Sequence, residues 1–308
     1  MSFAQASLMP SFTRPPSRVA IVRARSYDSN LGALLLEVLQ EFKLSIQGLK
    51  VLLKPNFVEP DPGGVLNTHP AVVGAVREAF LRLGAASVRV AEGPGNERDT
   101  EAVLETIRLR DFLGALPGVF VDLNLDEVRA VNLRTRASQL RQIYFPRTVL
   151  EADFIVSLPK LKTHHWAGVT LSLKNMFGIV PGSCYGWPKN VLHWAGITNS
   201  ILDINSTVRP DFAIVDGIVG MEGNGPIQGT PKPSEVLILG DDPVAVDATA
   251  ARVMGLAPER IDYLAKAGAL LGHLGPEKIR QLGESLESVR TPFAVLPAFR
   301  KLIAANGK

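Results

Sequence analysis

The sequence predicts an α/β fold: an open, largely parallel sheet flanked by helices, arranged as two α/β lobes with a crevice between them. Two observations carry that expectation. Short apolar runs of strand length alternate with helix-length amphipathic segments, and Gly, Pro, Asn and Asp mark the junctions. The alternation then recurs in the second half, which places the lobes at roughly 18–150 and 151–275. A disordered arm is expected over 1–17 and a C-terminal helical extension over 276–308.

In the first half, Val19–Val22 reads as a strand, Leu31–Phe42 as a helix and Leu49–Lys54 as a second strand. A Pro- and Gly-rich loop then leads into a helix over Ala71–Leu83. Gly84 stops it, being the residue type that best takes the left-handed conformation after a last helical turn. Ser87–Glu92 alternates as a strand, Thr100–Leu113 is amphipathic, and Gly118–Leu123 and Phe154–Leu158 follow as strands. In the second half a helix over Ala195–Ile204 precedes strands at Phe212–Asp216 and Val236–Leu239. Helices at Pro243–Met254 and Glu259–Ala267 complete the pattern.

A chain of 308 residues can bury a sizeable core. Its 46% hydrophobic and 20% charged residues are those of an ordinary globular protein rather than a solvated tail or coiled coil. The net charge is +3, but the 33 basic and 30 acidic residues are interleaved, which argues against nucleic acid as a partner. The densest basic stretch, Arg129–Arg147, reads as a solvated face. No apolar run is long enough to span a membrane. The single cysteine, Cys184, excludes an internal disulfide and an intrinsic iron–sulfur cluster, and fits a reducing, cytoplasmic setting.

Open α/β sheets bind ligands where loops leave the carboxyl ends of the strands, so the polar residues after each strand are the candidates. The densest set follows Phe154–Leu158. Lys160 and Lys162 suit the binding of an anion, His164 and His165 suit proton transfer, and Lys174 lies between Leu173 and Phe177. A partly desolvated amine beside other cations loses its proton readily, which makes Lys174 a candidate base or nucleophile. Lys54, Asn56 and His69 flank the Pro/Gly-rich loop, where Asn67 or Thr68 can also cap the next helix. Glu92 ends a strand before Gly93-Pro-Gly95.

Further on, Asp216 and Glu222 stand on a glycine-rich stretch that suits metal or hydroxyl binding, or simple turn formation. Asp241 or Asp242 can cap the helix that begins at Pro243, and Asp247 lies one turn inside it. His193 offers a further imidazole, and a speculative metal ligand, although no metal-binding spacing such as HExxH is present.

Over residues 18–275 the sequence resembles the bacterial and archaeal family catalogued as domain of unknown function 362. The likeness is carried by Lys54-Pro-Asn56, Thr68-His-Pro70, Glu92-Gly-Pro-Gly95, Leu158-Pro-Lys-Leu-Lys-Thr-His164, Leu173-Lys-Asn175, Asp216-Gly217 and Gly240-Asp-Asp-Pro-Val-Ala-Val-Asp247. Asn175 joins the substrate-binding candidates on this ground. Many members of that family carry a ferredoxin-like segment, which implies that a redox role here would need a separate electron-transfer partner or an organic cofactor. A more local stretch, His164-His-Trp-Ala-Gly168 with Lys174 and Pro181-Gly182, is similar to the nickel-pincer lactate racemase pattern. That resemblance implies an acid/base role for His164, a cofactor-anchoring role for Lys174 and a place near the metal for His193. The glycine pair before the family's lysine is replaced here by Leu171, Ser172 and Leu173.

The expected function is that of an enzyme acting on a small anionic metabolite or cofactor precursor, assisted by a divalent metal or a nucleotide-like organic cofactor. Oxidoreductase and isomerase are the classes that the resemblance favours. The alternatives are a non-catalytic carrier for a nucleotide-like ligand and a racemase of the nickel-pincer type.

Overall fold

The computed structural model describes residues 15–95 and 99–305. Residues 1–14 of the expected arm lie outside that range, and its last residue, Ser17, already opens the first strand. The strands are β1 (Ser17–Arg23), β2 (Lys50–Pro55), β3 (Ser87–Glu92), β4 (Phe120–Asp122), β5 (Val128–Asn132), β6 (Gln142–Pro146), β7 (Phe154–Leu158), β8 (Lys160–His164), β9 (Gly168–Thr170), β10 (Phe212–Asn224), β11 (Gln228–Gly240) and β12 (Ile279–Gly283). The longer helices are α1 (Leu31–Glu41), α2 (Pro70–Arg82), α3 (Thr100–Thr106), α4 (Ile197–Thr207), α5 (Pro243–Val253) and α6 (Asp262–Leu270).

Ten strands form one mostly parallel sheet in the order β12-β1-β11-β10-β7-β2-β3-β4, with β8 pairing β10 and β9 pairing β8. Strands from both halves of the sequence interleave, so the expected division into lobes at 150/151 is not a division of the sheet. The halves instead supply opposite faces. Ala20, Val51, Leu53, Phe212, Ile214, Leu237 and Leu239 pack with the buried stripes of α1, α2 and α3. Their neighbours Val19, Ile21, Leu52, Ala213, Val215, Val236 and Ile238 pack with α4, α5 and α6. The two-residue period of a strand sends alternate side chains to these two cores, which is why the central strands read as continuous apolar runs.

Local chemistry sets the helix starts. Asn30 accepts from the Ala33 N–H and begins α1, whose Leu31, Leu35 and Leu39 share one buried stripe. Asp242 accepts from the Val244 N–H ahead of Pro243 and begins α5. At α2 the cap is neither Asn67 nor Thr68 but His69, whose Nδ1 accepts from the Ala71 N–H. Thr68 and Asn67 shape the preceding loop: Thr68 Oγ1 donates to the Leu158 carbonyl, and Asn67 Oδ1 accepts from Val58.

Three expectations are corrected. Residues 160–164 are not a loop: Pro159 separates β7 from β8, and both run parallel to β10, which is long enough at 13 residues to carry one after the other. The glycine-rich stretch from Asp216 to Asn224 is the body of β10, paired with β11 in a long hairpin. The C-terminal extension is not simply helical, because Ile279–Gly283 adds an edge strand parallel to β1. The basic stretch forms the two-stranded β5–β6 ribbon, with Ile143 and Phe145 buried beneath it.

The ribbon's flanking chain is pinned by one carboxylate. Asp203 on α4 is fully buried and accepts from Thr135 Oγ1, Ala137 N, Ser138 N and Ser138 Oγ at 2.6–2.8 Å. Asp203→Ala would leave those donors buried without an acceptor. It is expected to lower unfolding stability by roughly 2–4 kcal/mol in a denaturant titration.

Candidate functional site

Lys54, Lys160 and Lys162 all lie on strands and are completely buried. A buried ammonium is tolerated only when paired or when it gives up its proton. Lys54 meets Glu92 at 2.7 Å and also donates to the Pro55 carbonyl and Asn175 Oδ1. Lys160 meets Asp216 at 2.9 Å and donates to the Tyr27 hydroxyl, which itself donates to Asp216. Lys162 has no carboxylate: its Nζ donates to the Leu66 carbonyl at 2.8 Å and more weakly to that of Pro226 at 3.5 Å.

Lys162 opens onto a cavity of about 250 Å³ at the carboxyl end of β8. Its wall also includes His164, His165, Lys174, Asn175, Lys189 and His193, with Asn56 and Glu92 on the opposing strands. Lys189 donates to the carbonyls of Gly93, Phe177 and Gly178. Lys174 faces the ring of Phe177, with Nζ 4.2 Å from its centroid. Among the described residues none of these three amines forms an ion pair. Burial lowers the amine pKa of Lys162 to about 7, of Lys174 to about 8 and of Lys189 to about 7, and neighbouring lysines add to each shift. The Lys174 amine faces the cavity, so the side chain keeps some solvent contact while protein surrounds it.

The three imidazoles divide by what their Nδ1 atoms touch. His164 Nδ1 accepts from the Trp166 and Ala167 N–H groups, which leaves the ring neutral with its proton on Nε2. Burial, then the charge of Lys174, holds its pKa well below the ordinary value. His165 and His193 instead lie with Nδ1 2.9 and 3.1 Å from the carbonyls of Gly225 and Lys189. A carbonyl can only accept, so both Nδ1 atoms carry a proton, and in the neutral form of either ring Nε2 is the nitrogen with the lone pair. Burial and Lys174 lower His193 to about 4, so it stays neutral at pH 7. Neutral His164 thus keeps a hydrogen-bond donor at Nε2, whereas His165 and His193 direct their Nδ1 protons to backbone carbonyls.

Two polar atoms in the wall, Asn56 Oδ1 and Thr170 Oγ1, are buried without a hydrogen-bond partner among the described residues. Gly178 brings bare backbone to the site: a Cβ there would lie 2.5 Å from both Lys54 Nζ and Glu92 Oε1. The buried Asp247 carboxylate accepts from the N–H groups of Ser172 and Leu173, which begins the short helix Ser172–Asn175 that carries Lys174 and Asn175 into the wall. Burial pushes the Asp247 carboxyl up to about 8, against the pull of those two donors.

Several expected ligand-binding residues stand elsewhere. Lys54 and Lys160 are consumed by their ion pairs, and Asp216 holds Lys160, Tyr27 and the His69 N–H. His69 caps α2 and stacks on Tyr27, ring centroids 3.7 Å apart. Glu222 accepts from Ala294 N and pairs with Lys232. Asp247 supports the wall from behind. Lys189 was not among the expected residues, because a lysine after Trp-Pro in a polar loop reads as solvated. Its left-handed backbone, φ 68°, turns the side chain inward, and nothing in the sequence marks that.

Among the described residues no three His, Cys, Asp or Glu side chains converge as a metal centre needs, so His193 stands in the wall without a ligand set around it. The nickel-bearing nucleotide implied by the racemase likeness would meet His164 and Lys174 in one cavity. Its volume of about 250 Å³ is below the roughly 300–1,000 Å³ usual for drug-sized ligands.

The family model described as "Domain of unknown function (DUF362)" matches residues 51–252. A curated relative, the thylakoid-associated protein sll1697 of Synechocystis sp., is 30% identical over 259 residues, covering 80% of this chain and 77% of that protein. Among solved structures, the lactate racemase apoprotein of Thermoanaerobacterium thermosaccharolyticum aligns over 68% of this chain and 51% of its own, with 15% identity and a TM-score of 0.39. A Thermotoga maritima protein from a structural genomics programme aligns over 71% and 56%, with 14% identity and a TM-score of 0.41. The chain thus spans about half the length of either solved protein. Among the described residues no helix is long and apolar enough to cross a membrane.

The division between paired and unpaired lysines gives a direct test. Lys54→Met and Lys160→Met each strand a buried carboxylate and are expected to cost roughly 3–5 kcal/mol of stability. Lys162→Met removes an unpaired buried amine and is expected to leave the melting temperature unchanged or raised. Thermal unfolding of the three variants checks the contrast.

Proposed function

The chain belongs to the DUF362 family, and from the geometry of its cavity we propose that it is an enzyme that binds a small anionic metabolite and moves a proton on it. The observation that supports this reading is the set of three amines, buried Lys162 and Lys189 with half-buried Lys174, that share one cavity and, among the described residues, form no ion pair. An anion seated among them supplies the missing charge. It also shifts each amine toward the ammonium form, so that binding takes up protons.

The surrounding groups supply the rest. His165 offers an Nε2 lone pair as general base, while the fixed Nε2–H of His164 can donate to an oxygen where negative charge develops. Lys174, with its amine at about 8 and no hydrogen bond from Nζ among the described residues, is the group best placed to exchange a proton near neutrality. The reaction class that fits is proton transfer next to a carboxylate, phosphate or carbonyl, as an isomerase carries out. A reducing cytoplasmic setting suits the exposed free thiol of Cys184. The second reading, a carrier, uses the same amine floor without turnover.

Sulfate is a suitable probe because its own charge is constant across the range. The free amines are charged below about 7 and neutral above about 8, so sulfate affinity is expected to be highest near pH 6.5 and to fall steadily toward pH 9. Calorimetry at pH 8 in two buffers of different ionisation enthalpy should report net proton uptake. Binding that ignores pH with the fold intact would sink the reading. Deuterium incorporation from D2O into a panel of short 2-oxo carboxylates and phosphorylated carbonyl compounds, lost in His165→Gln, separates the enzyme from the carrier.

A further inference from the structure

We propose that the ligand of this cavity is an amphipathic anion, with one phosphate or carboxylate group on the amine floor and an apolar, ring-sized body against Trp166 and Ile227 at the mouth. The proposal rests on the anion-binding reading above and adds the shape and chemistry of the other end of the molecule.

The wall changes character with depth. Lys162 and Lys189 are 0% and 4% exposed, whereas Trp166 and Ile227, which line the same cavity, are 57% and 37% exposed. The side chains of Phe57 and Phe177, both buried, line the same cavity. Lys162 and Lys189 stand at the buried end, and that end of the cavity favours an anion.

Trp166 is held rather than loose. The ring of His165 meets it edge-on at 4.7 Å and that of His193 at 5.0 Å. An indole kept in the wall with more than half its surface in water gains from an apolar body laid against it, because that contact removes apolar area from solvent on both partners. Ile227 stands on the tip of the β10–β11 hairpin, which the His165 backbone N–H ties to the β8–β9 turn through the Gly225 carbonyl. The two rim residues are therefore fixed relative to each other.

Size sets the body's scale. An apolar cavity of about 150 Å³ accepts a benzene-sized guest. The 250 Å³ here leaves room for a ring and one compact anionic group, and a larger body would extend past Trp166 into solvent.

Methyl phosphate and phenyl phosphate carry the same charge near pH 7 and differ only in the body, so calorimetry with the pair tests the proposal. Phenyl phosphate is expected to bind at least about tenfold more tightly, the order of magnitude that burying a ring supplies. Trp166→Ala should bring phenyl phosphate down to the affinity of methyl phosphate while leaving methyl phosphate itself unchanged, with Ile227→Ser acting in the same direction. Lys162→Met should weaken both. Equal affinity of the two esters for the wild-type protein would overturn the amphipathic proposal and leave the anion site standing. Binding of neither ester, in a protein that remains folded, would overturn the anion site as well.

Discussion

The ion pair between Lys160 and Asp216 joins more of the chain than any strand pairing does. Asp216 sits on β10 and Lys160 on β8, so the pair closes the contact between the two strands at the point where the register between them shifts. The same carboxylate receives the Tyr27 hydroxyl from the loop before α1 and the His69 N–H at the start of α2. Four segments distant in sequence thus converge on one buried charge. Replacing such a pair by apolar groups can be neutral, but losing one partner is not, and that asymmetry makes the pair a fixed reference for everything built beside it.

Beside it the pattern breaks. Lys162 is two residues along the same strand and points to the same side as Lys160, since side chains alternate along a strand, yet it meets only carbonyl oxygens. Lys189 likewise rests on carbonyls, and Lys174 on an aromatic face. Burial favours the neutral form of these amines, which lack the carboxylate partners that Lys54 and Lys160 have. Among the described residues the Asn56 and Thr170 oxygens in the same wall also have no hydrogen-bond partner, which fits the proposed role of this wall in binding.

The sequence made part of this legible. Apolar periodicity located most of the strands and all of the longer helices, because burial on both faces of a parallel sheet leaves a strong local signature. The dense run from Lys160 to Lys174 marked the site for the same reason in reverse: polar groups that a core segment would not tolerate. What local pattern does not encode is pairing. Nothing in the neighbourhood of Lys54 or Lys160 tells them apart from Lys162, because their carboxylates, Glu92 and Asp216, come from strands 38 and 56 residues away. The same holds for the inward turn of Lys189 and for β12, a short strand that exists only because β1 offers it an open edge.

The two hairpin turns at the cavity mouth divide the site into parts with different freedom to vary. The floor holds Lys162 on its strand, the buried loop lysine Lys189 and the bare backbone of Gly178, where even one methyl group would collide with both members of the Lys54–Glu92 pair. Trp166 and Ile227, by contrast, stand on turns where a new side chain disturbs no ladder hydrogen bond. On the proposed reading, descendants of such a protein could exchange one ligand body for another by altering the rim alone, while the floor passes unchanged from one specificity to the next.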